Sequence, residues 1–437
     1  MVIVTDQYRE MDRQSIWHPY TRHSAAEAGD FPIITRGEGV HLFDIEGNKY
    51  VDAISSWWAC NLGHNHPRLV EAIMRQAREL QHSILGNLSH PCAIELAAEL
   101  VNLFSDPCHV LFASDGASAV EAAIKIAIQH WHNLGHPERS RVASLENAYH
   151  GDTLGAVSVG YLEAFHSPFK PVLFPAYRAE SPCCGRCRHE KEPGSCNQEC
   201  FESMLTIFEQ HADELAAVII EPLCQGAAGM RIYPIEYLRL LDQLCKEKDV
   251  LLIVDEIAVG FGRTGKMFAF QHGDVDPDIV CLGKSLAGGY LPISATVVKD
   301  KIFETFWDQP EDRTFYHGHT FSGNPIAAAA ALETLRIYKE EAIVEKAEQK
   351  GYLMKDQMGS FLDLPHVVDV RCLGMIGAVE LDEEPWRAQR IRERLLSAGI
   401  LIRPLGNVVY LMPPLITPED ILSRTVEALY KAVEECS

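Results

Sequence analysis

The chain has 437 residues, 47% hydrophobic and 23% charged, enough for large cores; at about 150 residues per domain there is room for two or three. Its formal charge of −22, from 39 basic and 61 acidic residues, opposes a nucleic-acid backbone or an anionic membrane as the main partner. The 13 cysteines are an odd number scattered through apolar segments, which suits reduced thiols better than a disulfide framework. "MVIVTDQYREMDRQS" has neither a basic leader nor a sustained apolar core, and no apolar run nears the ~18 residues of a membrane span. A cytoplasmic protein is expected.

Early in the chain "VHLFDIEGNKYVDA" reads as a hairpin turning at Glu46-Gly47-Asn48. "RLVEAIMRQAREL" (Leu69, Ile73, Ala77, Leu80) and "AIELAAELVNLF" (Ile94, Ala97, Val101, Phe104) have helical spacing. "HVLFAS" is a short strand, followed by the Ala-rich helix "SAVEAAIKIAIQHW". "AAVIIEP", "VLLIVDE" and "DIVCLG" are short and wholly apolar, as parallel strands covered on both faces are. Helical stretches such as "IEYLRLLDQLCKEK" separate them. This alternation predicts an α/β fold, a doubly wound and mostly parallel sheet over residues 61–325. The helix "NPIAAAAALETLRIYKEE" then opens a smaller α+β domain over 326–437, which residues 1–60 are expected to join. No repeat or low-complexity linker interrupts the chain.

The chemistry starts from a lone charge. Between Asp278 and Lys299, "DIVCLGKSLAGGYLPISATVVK" carries only Lys284, and a buried lysine is costly unless paired or neutral. Either its stem lies along the surface with its head in water, or it is an amine kept neutral enough to form a Schiff base. Asp255, ending the preceding apolar strand, sits where open α/β sheets bind ligands; otherwise it pairs with an arginine such as Arg263. Together the two match what pyridoxal phosphate requires, a lysine for its aldehyde and a carboxylate to keep its pyridine nitrogen protonated. Its phosphate needs backbone N–H donors, which the helix start in "FASDGASAVEAAIK" offers at Gly116 and Ala117, with Ser118 adding a hydroxyl or capping the helix. "GFGRTG" formally matches G-x-G-x-x-G, but Asp255 and Glu256 precede it and no long helix follows, so no dinucleotide site is expected.

"SDGASAVEAAIK", "NAYHGDTLGA", "IIEP", "DEIAVGFGRTG", "CLGKSLAGG" and "HTFSGNPIA" resemble, in order and over most of the chain, the motifs of the class III pyridoxal-phosphate aminotransferases. The resemblance implies a fold-type I transferase with pyridoxal 5′-phosphate as cofactor, working as a homodimer with shared active sites. It implies Lys284 as the catalytic Schiff-base lysine, Asp255 at the pyridine nitrogen and Tyr149 stacked on the ring. Gly116 and Ala117 would hold the phosphate, with His319 and Thr320 from the other subunit. "IWHPYT", "SSWWACNLGHNHP", "LIRPLGN" and "VYLMPP" resemble the biotin-pathway members, which convert 8-amino-7-oxononanoate to 7,8-diaminononanoate with S-adenosylmethionine, or in some cases lysine, as amino donor. That implies Tyr20, Trp57, Trp58, Tyr149, Lys284, Gly318, Arg403 and Tyr410 around the substrate. A nine-carbon keto acid needs an apolar aromatic wall and a planar cation for its carboxylate, and Arg403 stands alone in "GILIRPLGNVVYLMPP". If "SSWW" is extended, only one tryptophan can face the site, and Trp57 is the expected one. Asp152 is expected to hold Arg263 or to contact the donor.

The insertion 181–200, "SPCCGRCRHEKEPGSCNQEC", has no place in that scheme. Cys184, Cys187, Cys196 and Cys200 are a possible thiolate set for zinc or an iron–sulfur cluster, though the unequal spacing and surplus Cys183 fit imperfectly. His64 and His66 read as turn residues. Two other functions stay open: an ornithine- or 4-aminobutyrate-type class III enzyme, and a non-catalytic metal- or partner-binding protein using the cysteine loop.

Overall fold

The computed structural model of the protein describes residues 2–24, 31–191, 195–308, 311–382 and 384–436. Residues 25–30 of the N-terminal segment and 192–194 of the cysteine-rich insertion lie outside them. The centre is a seven-stranded sheet in the order Cys108–Ala113, Ser294–Lys299, Ile279–Leu282, Leu251–Asp255, Leu215–Ile220, Arg141–Leu145, Tyr177–Ala179. Six strands run one way; only Ser294–Lys299 is antiparallel to its neighbours. The expected mostly parallel sheet is present.

The apolar runs are apolar because both faces are covered. Val218, Leu252, Val254 and Val280 pack into one core, while Ile219, Ile253, Ile279 and Cys281 pack into another. That is the two-residue alternation of a strand, with neither face left to water. Helix Gly116–Asn133 covers the second face, its Ala-rich stretch suiting both helix propensity and close approach to the strands. Six strands therefore end at one edge, and each polar residue just past an apolar run is delivered there.

The expected hairpin is found as His41–Asp44 and Lys49–Asp52, joined by Ile34–Glu38 on one side and by Ile400–Leu401 in parallel on the other. The Asp44 carboxylate pins the turn, accepting from the N–H groups of Glu46 and Asn48 and from the Tyr50 hydroxyl. Val367–Leu373, Ile376–Leu381 and Val408–Leu411 form a further antiparallel sheet.

Both expected helices are present, and Leu69, Ile73, Ala97, Val101 and Phe104 pack in or against the core, but the most buried residues differ in part from the expected stripe. Helix Pro67–Glu79 buries Leu69, Ala72 and Gln76, and helix Pro91–Val101 buries Ala93, Leu96 and Leu100, leaving Ile94 58% exposed. Each segment is apolar on more than one side, so spacing alone does not choose the stripe; packing against helix Pro325–Glu340 does. Among the described residues no helix is long and apolar enough to cross a membrane.

Candidate active site

The strand ends meet at one cavity of about 460 Å3, bordered by Gly116, Ala117, Tyr149, Glu221, Asp255 and Lys284. Asp255 is the last residue of its strand, and Lys284 lies two residues past Leu282 on the neighbouring strand. The two are delivered to one edge, as their positions predicted. Asp255 is 4% exposed and does not pair with Arg263. Its Oδ1 accepts the Ile257 N–H at 3.0 Å and its Oδ2 lies 2.8 Å from His150 Nδ1.

Lys284 faces the cavity with its Nζ 5.1 Å from the Trp58 ring centroid. Burial holds its amine below the usual lysine range, against the opposing pull of Asp255, Glu221 and Asp152. The surface-lysine reading is therefore set aside. Because its pKa is lowered, a larger fraction is neutral at any given pH than for an ordinary lysine. Uptake of pyridoxal phosphate by cofactor-free protein, followed by absorbance in stopped flow, should speed up with pH and level off below the ~10.4 of a free lysine. A profile still climbing above that value would contradict the desolvated amine.

Helix Gly116–Asn133, whose first residues border the cavity, is capped by Asp115, whose carboxylate accepts the Ser118 N–H at 3.0 Å and the Ser118 hydroxyl at 3.0 Å. Ser118 is thus neither the cap nor a hydroxyl facing the cavity. The Gly116 and Ala117 N–H groups stay outside the helix's own ladder, at the positive end of its dipole. A Cβ on Gly116 would come 3.0 Å from Ile257 Cδ1 and Cγ2, a tight contact that would make the Ile257 side chain shift. These features fit pyridoxal phosphate: backbone donors for the phosphate, a desolvated amine for the aldehyde and a buried carboxylate for the pyridine nitrogen.

A wider cavity of about 820 Å3 continues from Lys284, walled by Tyr20, Trp57, Trp58, Tyr149, Phe165 and Arg403. "SSWW" is not extended: all four residues have positive φ, 48° at Ser55, 45° at Ser56, 70° at Trp57 and 71° at Trp58. The left-handed turn brings both tryptophans to the cavity, which corrects the expectation that only one could face it. Polar partners hold the turn, Ser55 Oγ donating to the Met412 carbonyl at 2.7 Å and Ser56 Oγ to Asp52 at 2.8 Å.

Arg403 stacks its guanidinium 4.1 Å from the Trp57 ring centroid and 5.8 Å from that of Tyr20. Tyr149 and Tyr20 both donate to Asp152, at 2.9 Å and 2.5 Å. Burial and Asp152 push the Tyr20 hydroxyl up to about 12, and burial raises Tyr149 further, so both act as donors at neutral pH. Asp152 does not hold Arg263, which is fully buried and bonded to Ser55, Asn61 and the Met375 carbonyl.

Four expected substrate or cofactor contacts, Tyr410, Gly318, His319 and Thr320, are not in the cavity. Tyr410 is fully buried behind Trp58, its oxygen accepting the Trp58 indole N–H at 3.2 Å, so it supports the wall instead of lining it. Gly318, His319 and Thr320 lie on an irregular segment away from the cavity, where the His319 N–H donates to Ser322 Oγ at 3.1 Å. Within one chain they touch neither cavity.

Sequence reasoning passed over several residues. Glu221 is buried past the end of Leu215–Ile220 and accepts the N–H groups of Tyr149 and Gly226, both at 3.0 Å; burial pushes its carboxyl up to about 7. The signal was available, because Glu221 ends an apolar run just as Asp255 does. His150 carried no such signal. Arg22 and Arg231 also border the wider cavity.

The insertion's five cysteines border a cavity of only about 30 Å3. Burial pushes the Cys184 thiol up to about 11 and the Cys200 thiol up to about 12, neighbouring thiols and Glu180 adding to the rise. Arg186 pairs with Glu380 at 2.6 Å and Arg188 with Glu146 at 3.0 Å, pinning the loop by charge. Among the described residues no group of three or more His, Cys, Asp or Glu side chains is placed to hold a metal ion, so the Cys184, Cys187, Cys196, Cys200 set is not assembled here. His64 bonds Asp52 at 2.9 Å and His66 precedes the helix that begins at Pro67, which keeps both as turn residues.

Residues 24–433 match the family Aminotransferase class-III. The chain is 42% identical to an adenosylmethionine-8-amino-7-oxononanoate aminotransferase of Methanocaldococcus jannaschii, covering 97% of each chain. It is 39% identical to one of Geobacter sulfurreducens, covering 98% of each. The crystal structure of the M. jannaschii enzyme superposes with a TM-score of 0.92 over 98% of this chain and 99% of that one, at 40% identity. An amine transaminase from an uncultivated Pseudomonas species, in its PLP-bound form, gives 0.93 over 97% and 99%, at 33% identity. The fold and the lysine–carboxylate site thus define a pyridoxal-phosphate-dependent aminotransferase. The chain belongs to the class III aminotransferase family.

Proposed function

We propose that this protein transfers an amino group to the 7-oxo carbon of 8-amino-7-oxononanoate, forming 7,8-diaminononanoate for biotin synthesis, with S-adenosylmethionine as donor. One contrast carries the assignment. Overall shape does not separate the amine transaminase from the biotin-type enzyme, at TM-scores of 0.93 and 0.92, but identity does, at 33% against 40%. The cavity agrees in chemistry, with an aromatic wall for a long apolar chain and Arg403 for a terminal carboxylate.

When bound, pyridoxal phosphate supplies an aldehyde for amines and a protonated ring that draws electrons from the carbon losing its proton. This chain supplies the rest. Gly116 and Ala117 would hold the phosphate through their N–H groups, Tyr149 would lie against the ring and Asp255 would keep its nitrogen protonated. Lys284 would hold the aldehyde, and its amine, when free, would carry the proton from the donor carbon; desolvation makes it a weaker base than free lysine, suited to both taking and returning that proton. Tyr20, Trp57, Trp58 and Arg403 orient the substrate, with Tyr410 bracing Trp58.

His319, Thr320 and Gly318 enter the site of a second copy in this reading, giving a homodimer with shared sites. Exposed Tyr316 and Phe321 flank that segment, and His82 packs on Phe321 beside exposed Ile84 and Leu88. An apolar patch around residues that one chain leaves unused supports pairing of two copies. All 13 cysteines are free, which supports a reducing, cytoplasmic setting. The charge of −22 opposes nucleic-acid or membrane partners.

The test is a half-reaction on purified enzyme. S-adenosylmethionine alone should bleach the visible band of the bound cofactor, and 8-amino-7-oxononanoate should restore it. Bleaching by lysine alone changes the donor. Bleaching only by ornithine or 4-aminobutyrate removes the biotin assignment and leaves the family.

A further inference from the structure

Behind the wall where the two cavities meet lies His166, at the end of the short helix Glu163–His166, and nothing in the reaction scheme above uses it. Its ring is 2% exposed, with its centroid 6.2 Å from that of Tyr149 and the planes 18° apart, and Tyr161 and Phe165 pack on it as well. Nδ1 accepts the Leu162 N–H at 3.0 Å, so that nitrogen carries no proton. Burial holds the ring below the usual histidine range, against the pull of Asp152, and a neutral ring with a bare Nδ1 has its one proton on Nε2. That Nε2 is buried and has no hydrogen-bond partner among the described residues. A buried N–H without an acceptor is costly, and folded proteins pair nearly all of them. Here an acceptor stands just out of reach, Asp152 Oδ1 at 3.7 Å.

Asp152 borders the cofactor cavity, Tyr20 the wider cavity and Tyr149 both. The carboxylate takes both phenol hydroxyls, Tyr20 on Oδ1 and Tyr149 on Oδ2. Its side chain is 53% exposed, whereas His166 is fixed by a backbone partner and by packing on three rings. The carboxylate is therefore the member of the pair that can move, and a shift of about 0.8 Å would bring it to the ~2.9 Å of an N–H···O bond. Hydrogen bonds at active sites are often long without ligand and tighten in the complex.

We infer that His166 is a positioning residue for amino transfer: with a substrate in the cavity its Nε2–H bonds Asp152 Oδ1 and fixes the carboxylate that aims the Tyr20 and Tyr149 hydroxyls. The inference rests on the places given to Tyr20 and Tyr149 under Proposed function. No atom is transferred; the ring supplies a fixed donor.

The two ring nitrogens have separable roles, and two variants of the holoenzyme take them one at a time. His166→Asn keeps an acceptor at the Nδ1 position for the Leu162 N–H and loses the Nε2 donor. His166→Gln carries its side-chain N–H out to the Nε2 position and leaves the Leu162 N–H unmet. His166→Asn is expected to melt close to the parent and to raise KM for both substrates about tenfold, the low end for a hydrogen bond to a charged group, with kcat less changed. His166→Gln should melt lower and recover most of the lost KM. A purely structural histidine gives the opposite order, with activity following melting temperature. That order, a KM in His166→Asn within about twofold of the parent, or equal impairment of the two folded variants overturns the inference. Should either variant not fold, 15N-histidine spectra of the parent decide. An Nε2–H resonance that shifts on addition of 8-amino-7-oxononanoate in the parent but not in Asp152→Asn supports the inference; a proton on Nδ1, no shift, or an equal shift in both overturns it. A parent whose cofactor band no donor bleaches would instead sink the underlying functional reading, and the histidine tautomer is read independently of that result.

Discussion

Replacing Lys284 with alanine is expected to give a folded, colourless protein in which amino transfer is at least about 10⁴-fold slower, since proton transfer by a positioned group alone is worth ~10²–10⁴ and the covalent anchor goes with it. Folding should survive, because the amine is desolvated and its removal deletes a group whose charged form is disfavoured where it stands. The melting temperature should therefore stay level or rise. Lys284→Arg separates charge from chemistry: it keeps the cation but never yields a neutral amine, so it should be as inactive as the alanine variant. A small primary amine added to Lys284→Ala should restore part of the single-turnover rate, and should do nothing for Lys284→Arg, where the space is filled. Retention of more than about a tenth of the parent rate by Lys284→Ala would remove the lysine from the proton-transfer role.

The legibility of this site follows from where its residues stand on the chain. Asp255 and Lys284 could be read because a charge at the end of a buried apolar strand has only one place to go, the sheet edge. Gly116 could be read because a strand, a polar cap and a helix follow in sequence. The tryptophan turn could not. Left-handed backbone costs non-glycine residues ~1–2 kcal/mol each, and nothing local to "SSWW" announces it. Met412 and Arg263 bond Ser55, and Tyr410 braces Trp58, all from more than 200 positions away in the chain. Long-range partners of this kind leave no periodic trace. The stripe on helix Pro91–Val101 was legible only in part for a related reason: Ala97 and Val101 pack against the core while Ile94 is exposed, since the apolar residues offer two faces and only the neighbouring helix selects one.

Arg403→Ala is expected to raise KM for 8-amino-7-oxononanoate about 10–100-fold, because hydrogen bonds to a charged partner contribute ~1.5–3 kcal/mol and each 1.4 kcal/mol is tenfold. The effect should fall on KM and leave kcat less changed, since the carboxylate is remote from the reacting carbon and is held equally before and during the reaction. Geometry favours this arginine. Its guanidinium carbon lies 4.1 Å over the Trp57 ring centroid, and an arginine stacked on an aromatic face keeps its edge donors for both oxygens of a carboxylate. Arg403→Lys should therefore recover only part of the loss, keeping the charge but not the fork. Arg231 and Arg22 border the same cavity and provide the internal control. If Arg231→Ala raises KM more than Arg403→Ala does, the carboxylate lies instead against the Ala228–Gly229 wall. That wall is itself held from below, where buried Arg371 donates to the Gly229 carbonyl at 2.7 Å and pairs with Glu380 at 2.6 Å. Glu380 also accepts Arg186 of the cysteine-rich insertion, so a wall anchored there would tie substrate length to a loop outside the reacting centre. Shortening the keto acid by two carbons separates the cases: with Arg403 as the anchor, the short acid loses most of its affinity in the parent enzyme and little more in Arg403→Ala.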